Sequence, residues 1–278
     1  MAAPSRRIQR LALVPVLLAG LAAAAPASAA TMYGGTTSVD QYPLILKVSG
    51  TRIVGVVSMW RGACASGRAY SFGRSVSLAS HPLAIRAGAF AGSFAVAETL
   101  SGGQTGMVTV TLKGRVRGAK VTGSLTGAAS VVSSPAAPPD DTCTTKSLAF
   151  TLAHRPGTVY GGTTSQGLPV VVELVSSRTQ IHHLHVGWRA TCTSGGAFQY
   201  ADFLAGGALT RGGAFGGTFT TNDAGSAGST YTSDYAVSGR LTKTSGNGAL
   251  KVTVTQRDAA GTVQDTCTTG SVTFHVTG

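Results

Sequence analysis

The chain has 278 residues, of which 38 are glycine, 12% are charged and 6% are aromatic. This composition excludes a coiled coil, which needs far more Glu, Lys and Leu, and a charge-rich disordered chain. Glycine and alternating Thr and Val also disfavour an ordinary helical enzyme. Twenty-two Lys and Arg residues against 10 Asp and Glu residues leave a formal net charge of +12.

The first 30 residues have the pattern of a cleaved signal peptide. Three arginines precede an apolar run at 11–25, and the small-x-small motif at 27–29 is one that signal peptidase accepts. A membrane anchor is disfavoured because 15 residues rising ~1.5 Å each fall short of a ~30 Å hydrocarbon core. We therefore expect cleavage after about Ala29 or Ala30, and a secreted, extracellular mature chain without a transmembrane span.

Five sequence blocks occur twice, in the same order, after the signal peptide. They begin at Tyr33 and Tyr160, Trp60 and Trp188, Gly88 and Gly213, Gly114 and Gly239, and Asp141 and Asp265. Spacings between 124 and 128 residues predict a tandem repeat, with homologous domains at 31–154 and 155–278. Because the joint is short, we expect the two copies to touch or to hold a restricted orientation.

The apolar residues within each copy follow the period of β-strands. Residues 44–48 and 170–174 are short apolar runs, while 107–112, 250–255 and 271–276 alternate apolar with polar side chains. Gly-rich turn segments separate such runs. The pattern predicts an all-β protein with seven to nine short antiparallel strands per copy, arranged as a β-sandwich or a small β-barrel.

The larger aromatic residues fit the interior of such domains. We interpret six of them as core anchors: Trp60, Phe90, Phe94, Trp188, Phe215 and Phe219. The glycines that alternate with the phenylalanines would allow a close approach of the backbone or a bend. The alternative is a stacking platform for sugars or bases.

Four cysteines in an exported chain, two per copy at matching positions, predict one disulfide in each domain. Of the three possible pairings, repeat symmetry selects Cys64–Cys143 and Cys192–Cys267, because a duplicated domain should have folded alone before duplication. A zinc site is disfavoured because the C-x-x-C spacing is absent from the sequence. We expect neither a metal nor another cofactor.

Motifs for catalysis are missing from the sequence. It contains no nucleophile elbow, phosphate-binding loop, zinc-protease helix or EF-hand loop. Acids are also scarce, and Asp141 and Asp265 recur at the same place in the two copies, where capping of a turn explains them. We therefore assign no catalytic residue, and an enzyme is the less favoured class.

One cluster departs from the repeat, since His182, His183 and His185 stand where the first copy has Val54, Gly55 and Val57. On a strand, His183 and His185 share a face with Arg189, and His182 lies with Leu184. We take His183, His185 and Arg189 as candidate binding residues, either a metal pair or a pH-sensitive anion patch. The alternative is an ordinary solvent-exposed face, and the sequence places no third metal ligand.

The charge balance suggests the kind of partner. Without the signal peptide the net charge is +9, which favours weak, salt-sensitive attraction to cell-wall polymer or another anionic extracellular surface. Nucleic acid is disfavoured by export, few aromatic residues and scattered Lys and Arg. The first copy has 11 basic and 4 acidic residues and the second has 8 and 6, so we expect the first copy to bind anionic polymer more tightly. The alternative is a solubilising charge without a specific partner.

Several of these motifs together resemble a known kind of protein. The signal peptide, Tyr-Gly-Gly-Thr-Thr at 33–37, Gly-x-Phe-x-Gly-x-Phe at 88–94 and the Cys-Thr-Thr…Phe end are similar to secreted tandem β-domain proteins from high-GC Gram-positive (actinobacterial) bacteria. The excess of 16 Arg over 6 Lys is similar to theirs. The resemblance covers residues 31–278, implies fold and location, and assigns no catalytic or binding residue.

These observations lead to one functional hypothesis and two rivals. The leading hypothesis is a secreted, non-catalytic binding or surface-interaction module for cell-wall glycan or anionic polymer. The first rival is a secreted hydrolase with its site at the domain joint. The second is a secreted enzyme inhibitor, which would present an exposed, rigid loop near a disulfide.

Overall fold

The computed structural model describes residues 30–99, 105–132, 140–225 and 228–278. In these ranges the secondary structure is β-strand, without an α-helix, as the sequence predicted. The expected signal peptide lies, except for its last residue, outside the described residues. None of the described residues forms a helix with the length and apolarity needed to cross a membrane.

Each half of the chain builds its own sheet from consecutive strands. The first half contributes β1 (Thr31–Thr37), β2 (Pro43–Ser49), β3 (Arg52–Cys64), β4 (Ala69–Ser77), β5 (Leu83–Ala84), β6 (Ala89–Thr99), β7 (Thr105–Arg117), β8 (Lys120–Val132), β9 (Asp141–Thr144) and β10 (Leu148–Ala153). The second contributes β11 (Val159–Thr164), β12 (Pro169–Leu174), β13 (Ile181–Cys192), β14 (Ala197–Ala205), β15 (Ala214–Ala224), β16 (Thr230–Leu241), β17 (Ser245–Arg257), β18 (Val263–Thr268) and β19 (Val272–Thr277). The first half exceeds the predicted seven to nine strands because of the two-residue β5.

Six strands in each half close on themselves through antiparallel pairing. The order around the first ring is β1, β2, β3, β9, β8 and β10, with β10 pairing back to β1. The corresponding order in the second is β11, β12, β13, β18, β17 and β19, with β19 pairing back to β11. Of the two arrangements that the sequence left open, closure selects the small barrel, because a sandwich leaves its sheet edges unpaired.

The remaining strands extend the rings as hairpins. β6 and β7 continue the sheet beyond β8, and β15 and β16 continue it beyond β17. On the other side of each ring, β4 pairs with β3 in the first half, and β14 pairs with β13 in the second. The alternating burial along β7, where Val108, Val110 and Leu112 are buried beside exposed Met107 and Lys113, gives this extension one apolar face.

Four of the six predicted core anchors are buried in the two cores, whereas Phe94 and Phe219 are half-buried and pack against them. Trp60 and Trp188 are 1% and 0% exposed. The ring of Phe90 lies over Gly114 of the neighbouring strand, where a Cβ atom would come within 2.8 Å of it. Phe215 lies over the equivalent glycine in the same way, so these glycines provide the space in which the rings pack.

In each barrel, one disulfide joins two neighbouring strands that share only two register pairs. These strands are β3 and β9 in the first half and β13 and β18 in the second. Cys64 and Cys143 are register partners on β3 and β9 and are bonded to each other, 79 residues apart in sequence. Cys192 and Cys267 do the same on β13 and β18, 75 residues apart. Both predicted pairings are confirmed, and the zinc alternative is wrong because every cysteine sulfur is used in a disulfide.

The two halves touch through the outer faces of β2 and β3 in the first half and of β12 and β14 in the second. The buried apolar side chains of this contact come from both halves: Tyr42, Ile45, Val57, Met59, Val171 and Ala201. Met59 is fully buried, and a Cβ atom at Gly187 would lie 2.9 Å from its sulfur. Glycine at 187 therefore leaves the space into which Met59 of the other half inserts.

Candidate functional site

Exposed basic side chains line the outer face of the first half. Lys113, Arg115 and Arg117 alternate along β7 with the apolar side chains of the core. Lys120 lies opposite Arg117 in the β7–β8 hairpin. Arg86 forms an isolated β-bridge with Ala89, which is the register partner of Arg115. We call these five residues the basic strip. Successive side chains on one face of a strand are about 6.5–7 Å apart, so the strip is a row of separated positive charges.

In the part of the chain that the structure describes, no carboxylate forms an ion pair with the basic strip. Its cross-strand neighbours are uncharged: Ala89, Ala91, Thr122 and Ser124. Among the described residues, neither of the ion pairs involves a member of the strip. In the second half, Ser238, Arg240 and Thr242 occupy the positions of Lys113, Arg115 and Arg117 by sequence alignment and by register, so the row of charge belongs to the first half.

A β-bulge displaces the histidine cluster of the second half. Glu173 pairs with His183, and the next pair on β12 and β13 skips to Ile181, which leaves His182 outside the register. Ile181 is buried in the core, whereas His182 is exposed and stacks on His183 with ring centroids 3.6 Å apart. The prediction that His182 shares the inner face with Leu184 is therefore wrong, because the inserted residue turns His182 outward.

The other predicted residues do share one face of β13, and that face turns towards the first half. The intervening Leu184, Val186 and Trp188 are core residues, which directs His183, His185 and Arg189 outward. His185 is only 2% exposed. The alternative interpretation, an ordinary solvent-exposed face, is therefore wrong for His185. The structure thus brings His185 and Arg189 to the contact between the halves, where they meet Gln41 and Glu98, whereas His183 contacts residues of its own half and stays partly exposed.

The environments of the two inner histidines differ. Burial lowers the pKa of His185 to about 4, with a further lowering by His183, and its Nδ1 atom has no hydrogen-bond partner among the described residues. Burial and then His182 lower the pKa of His183, against the attraction of Glu173, whose carboxylate oxygen lies 3.6 Å from Nδ1 of His183. His185 is therefore neutral at pH 7 and packs against Phe203.

Arg189 forms an ion pair that crosses between the halves. Its guanidinium donates to Glu98 Oε1 of β6 at 3.0 Å, and the Glu98 side chain is 0% exposed. Burial raises the pKa of the Glu98 carboxyl, while Arg74 and Arg189 lower it. Arg189 also donates to the side-chain oxygen of Gln199, whose nitrogen donates to the Ser71 carbonyl oxygen of the first half at 2.9 Å. The group is a polar connection between the halves rather than an open anion site.

A second, largely buried carboxyl lies between the extension strands β14 and β16 of the second half. Asp202 accepts hydrogen bonds from Trp188 Nε1 at 3.2 Å and from the hydroxyl of Tyr235. Burial raises its pKa to about 6, although both hydrogen bonds lower it, and the charge of Asp223 adds to the increase. Motif searching missed Asp202 and Glu98 because each is an isolated acid whose surroundings come from distant strands.

The recurring acids hold turns, as predicted. Asp141 accepts from the backbone N–H of Ser66 at 3.1 Å and from its hydroxyl, and this keeps the pKa of Asp141 low. Asp265 binds the equivalent turn through Ser194 and Thr193, which lowers its pKa to about 2. Both acids stabilise the β-turn next to a disulfide.

The site therefore has three separate parts: the basic strip, the histidine face of β13 and the buried ion pair at the joint. A shallow, solvent-open groove on β15–β17 is lined mainly by small residues, and its only titratable lining side chain is Lys251. Comparisons of the chain with protein-family models, curated proteins and solved structures found no match.

Proposed function

We propose that the mature chain is secreted and binds an extended anionic polymer of the cell surface through the basic strip, without catalysing a reaction. The observation that carries this proposal is the row of exposed basic side chains on β7, with uncharged cross-strand neighbours. A strip of positive charge favours an anionic polymer over a neutral wall glycan, because each charged unit of the polymer meets a cation.

The spacing of the strip suits a repeating ligand. Side chains at alternate positions of β7 stand about 6.5–7 Å apart, which lets a flexible polyanion contact several of them in one extended conformation. Each exposed contact is weak and is screened beyond about 8–10 Å at ordinary ionic strength. Affinity therefore comes from the sum of several contacts and should fall steeply with salt.

The acids support binding rather than hydrolysis. A hydrolase at the joint needs carboxyl groups that reach its substrate, yet the carboxyl at the joint, Glu98, has no exposed surface and is paired with Arg189. Asp202 is hydrogen-bonded to Trp188 and Tyr235 in the core of the second half. Half-buried Asp141 and Asp265 are held in turns by several hydrogen bonds each.

A secreted enzyme inhibitor is the second candidate. Its supporting observation is the turn at 65–68, which is exposed, lies next to Cys64 and is tied down by Asp141. Inhibition of a panel of secreted proteases and glycosidases by the full mature chain would establish this function. Loss of that inhibition on replacing Asp141 with Asn would assign it to the turn.

The basic strip is tested with the full mature chain, purified Gram-positive cell wall and inorganic polyphosphate as a defined polyanion. The test variant carries Lys113→Glu, Arg115→Glu and Arg117→Glu. The matched control carries Arg211→Glu, Arg240→Glu and Lys243→Glu, three exposed residues of the second half, and changes the net charge equally. Circular dichroism and urea unfolding check that both variants are folded.

We expect the wild-type chain to be retained at low salt and released as salt increases. The test variant should lose roughly tenfold or more in affinity, together with much of its salt dependence, because counterion release scales with the number of contacts. The control should lose less than about threefold, from the change in net charge alone. Equal losses in the two variants, or no retention of the wild type at low salt, would refute the proposal.

A further inference from the structure

The β-bulge that displaces His182 occurs in both halves, but only the second half places metal-binding side chains on it. In the first half, Lys47 pairs with Gly55, and the next pair skips to Ile53, so that Val54 is the inserted residue. The fold therefore makes this bulge without any imidazole. The corresponding residues of the second half are Glu173, His182 and His183.

These three side chains converge. One possible ligand atom from each lies within 4.8 Å of those of the other two. The rings of His182 and His183 stack 3.6 Å apart, and Nδ1 of His183 is 3.6 Å from Oε2 of Glu173. With metal–ligand bonds of about 2.0–2.1 Å, two ligand atoms of a tetrahedral ion stand about 3.3 Å apart. The pair formed by His183 and Glu173 is already within about 0.3 Å of that separation.

We propose that Glu173, His182 and His183 form a binding site for Zn²⁺ or a similar divalent transition-metal ion such as Ni²⁺ or Cu²⁺. Imidazole nitrogen is a preferred ligand of these ions, whereas Ca²⁺ and Mg²⁺ prefer oxygen. The structure supplies the third ligand that the sequence alone did not place, because Glu173 comes from the neighbouring strand.

The surroundings leave room for further ligands on the ion. His182 is exposed, and the side chains of His183 and Glu173 are 26% and 31% exposed. A bound ion would join β12 to β13 and keep its remaining coordination positions towards solvent. The site lies in the second half, away from the basic strip, so it does not depend on the proposed polymer binding.

The test uses the untagged, full mature chain, freed of metal with a chelator. Zn²⁺ binding is measured by calorimetry, and Co²⁺ serves as a spectroscopic probe of histidine and carboxylate ligation. The ligand variants are His182→Ala, His183→Ala and Glu173→Gln. The matched control is His275→Ala, which removes an exposed strand histidine elsewhere in the same barrel.

We expect one Zn²⁺ per chain at this site, and a loss of at least about tenfold in affinity for each histidine variant, since changes to outer-shell partners alone weaken metal sites ~10–100-fold. Glu173→Gln should weaken binding in the same direction, while His275→Ala should match the wild type. Zn²⁺ should also raise the melting temperature of the wild type but not of His183→Ala. Unchanged affinity in all three ligand variants, or no saturable binding by the folded wild type, would overturn the proposal.

Discussion

The buried carboxyl of Asp202 should make the folded state less stable as the pH rises, and replacement by Asn should remove this effect. Burial raises the pKa of Asp202 from 3.8 to about 6 in the folded chain. A group whose pKa is higher in the folded chain than in the unfolded chain stabilises the folded state. This stabilisation is complete below the unfolded pKa, where the group is protonated in both states. That advantage is lost as the pH rises from the unfolded pKa through the folded one.

The magnitude follows from the difference between the two pKa values. A difference of about 2 units corresponds to about 3 kcal/mol, at roughly 1.4 kcal/mol per unit. Because the unfolded carboxyl is already partly ionised at pH 4, the free energy of unfolding of the wild type should fall by about 2–2.5 kcal/mol relative to Asp202→Asn between pH 4 and pH 7. Other groups that titrate in this range are present in both proteins, so the difference between the proteins isolates Asp202.

Urea unfolding of both proteins at pH values from 4 to 8 measures this difference, and carboxyl ¹³C NMR gives the titration midpoint of Asp202 directly. Tyr235→Phe is a useful control, because it removes a hydrogen bond that lowers the pKa of Asp202 and should move the midpoint upward. A stability difference that stays constant across the pH range would refute the reasoning. So would a midpoint near the ordinary aspartate value of about 4.

Three further predictions concern stability. The hydrogen bonds of Asp265 with Ser194 and Thr193 lower its pKa to about 2. The ionised carboxylate therefore stabilises the folded state above pH ~4, and this stabilisation is lost towards pH 2. In urea unfolding, Asp265→Asn should be less stable than the wild type at pH 6 but not at pH 2. Met59→Ala should lower the free energy of unfolding by about 2–5 kcal/mol, because it empties a fully buried contact, and a smaller loss would mean that the halves readjust. Replacing Cys192 and Cys267 together by Ser should reduce stability by about 2–5 kcal/mol, measurable by thermal unfolding under oxidising conditions, whereas an unchanged melting temperature would contradict the assigned role of the disulfide.

The interior of each barrel could be predicted well from the sequence. Alternation of apolar and polar residues is a property of one strand, so it identified β7 and β17 and the burial of Trp60 and Trp188 without knowledge of their partners. The disulfides could be paired because each copy supplies only two cysteines. Neither inference required knowing how strands are ordered in space.

The candidate site was less predictable because it depends on register and on distant neighbours. Alternation placed His183 and Arg189 correctly on one face of β13, but it failed for His182, where the bulge inserts a residue. Glu173 comes from the adjacent strand, and Glu98 lies 91 residues from Arg189 in the chain. A regular period along one strand carries no information on such contacts.

Strand period and cysteine placement were sufficient for the all-β class, the two disulfides and the apolar cores, because these follow from short-range pattern and from chain composition. Closure of the sheets into barrels, the outward turn of His182 and the ion pair of Glu98 with Arg189 were decided only when the chain folded. Each of them is set by hydrogen-bond register and by packing between residues remote in the chain, which no local pattern encodes.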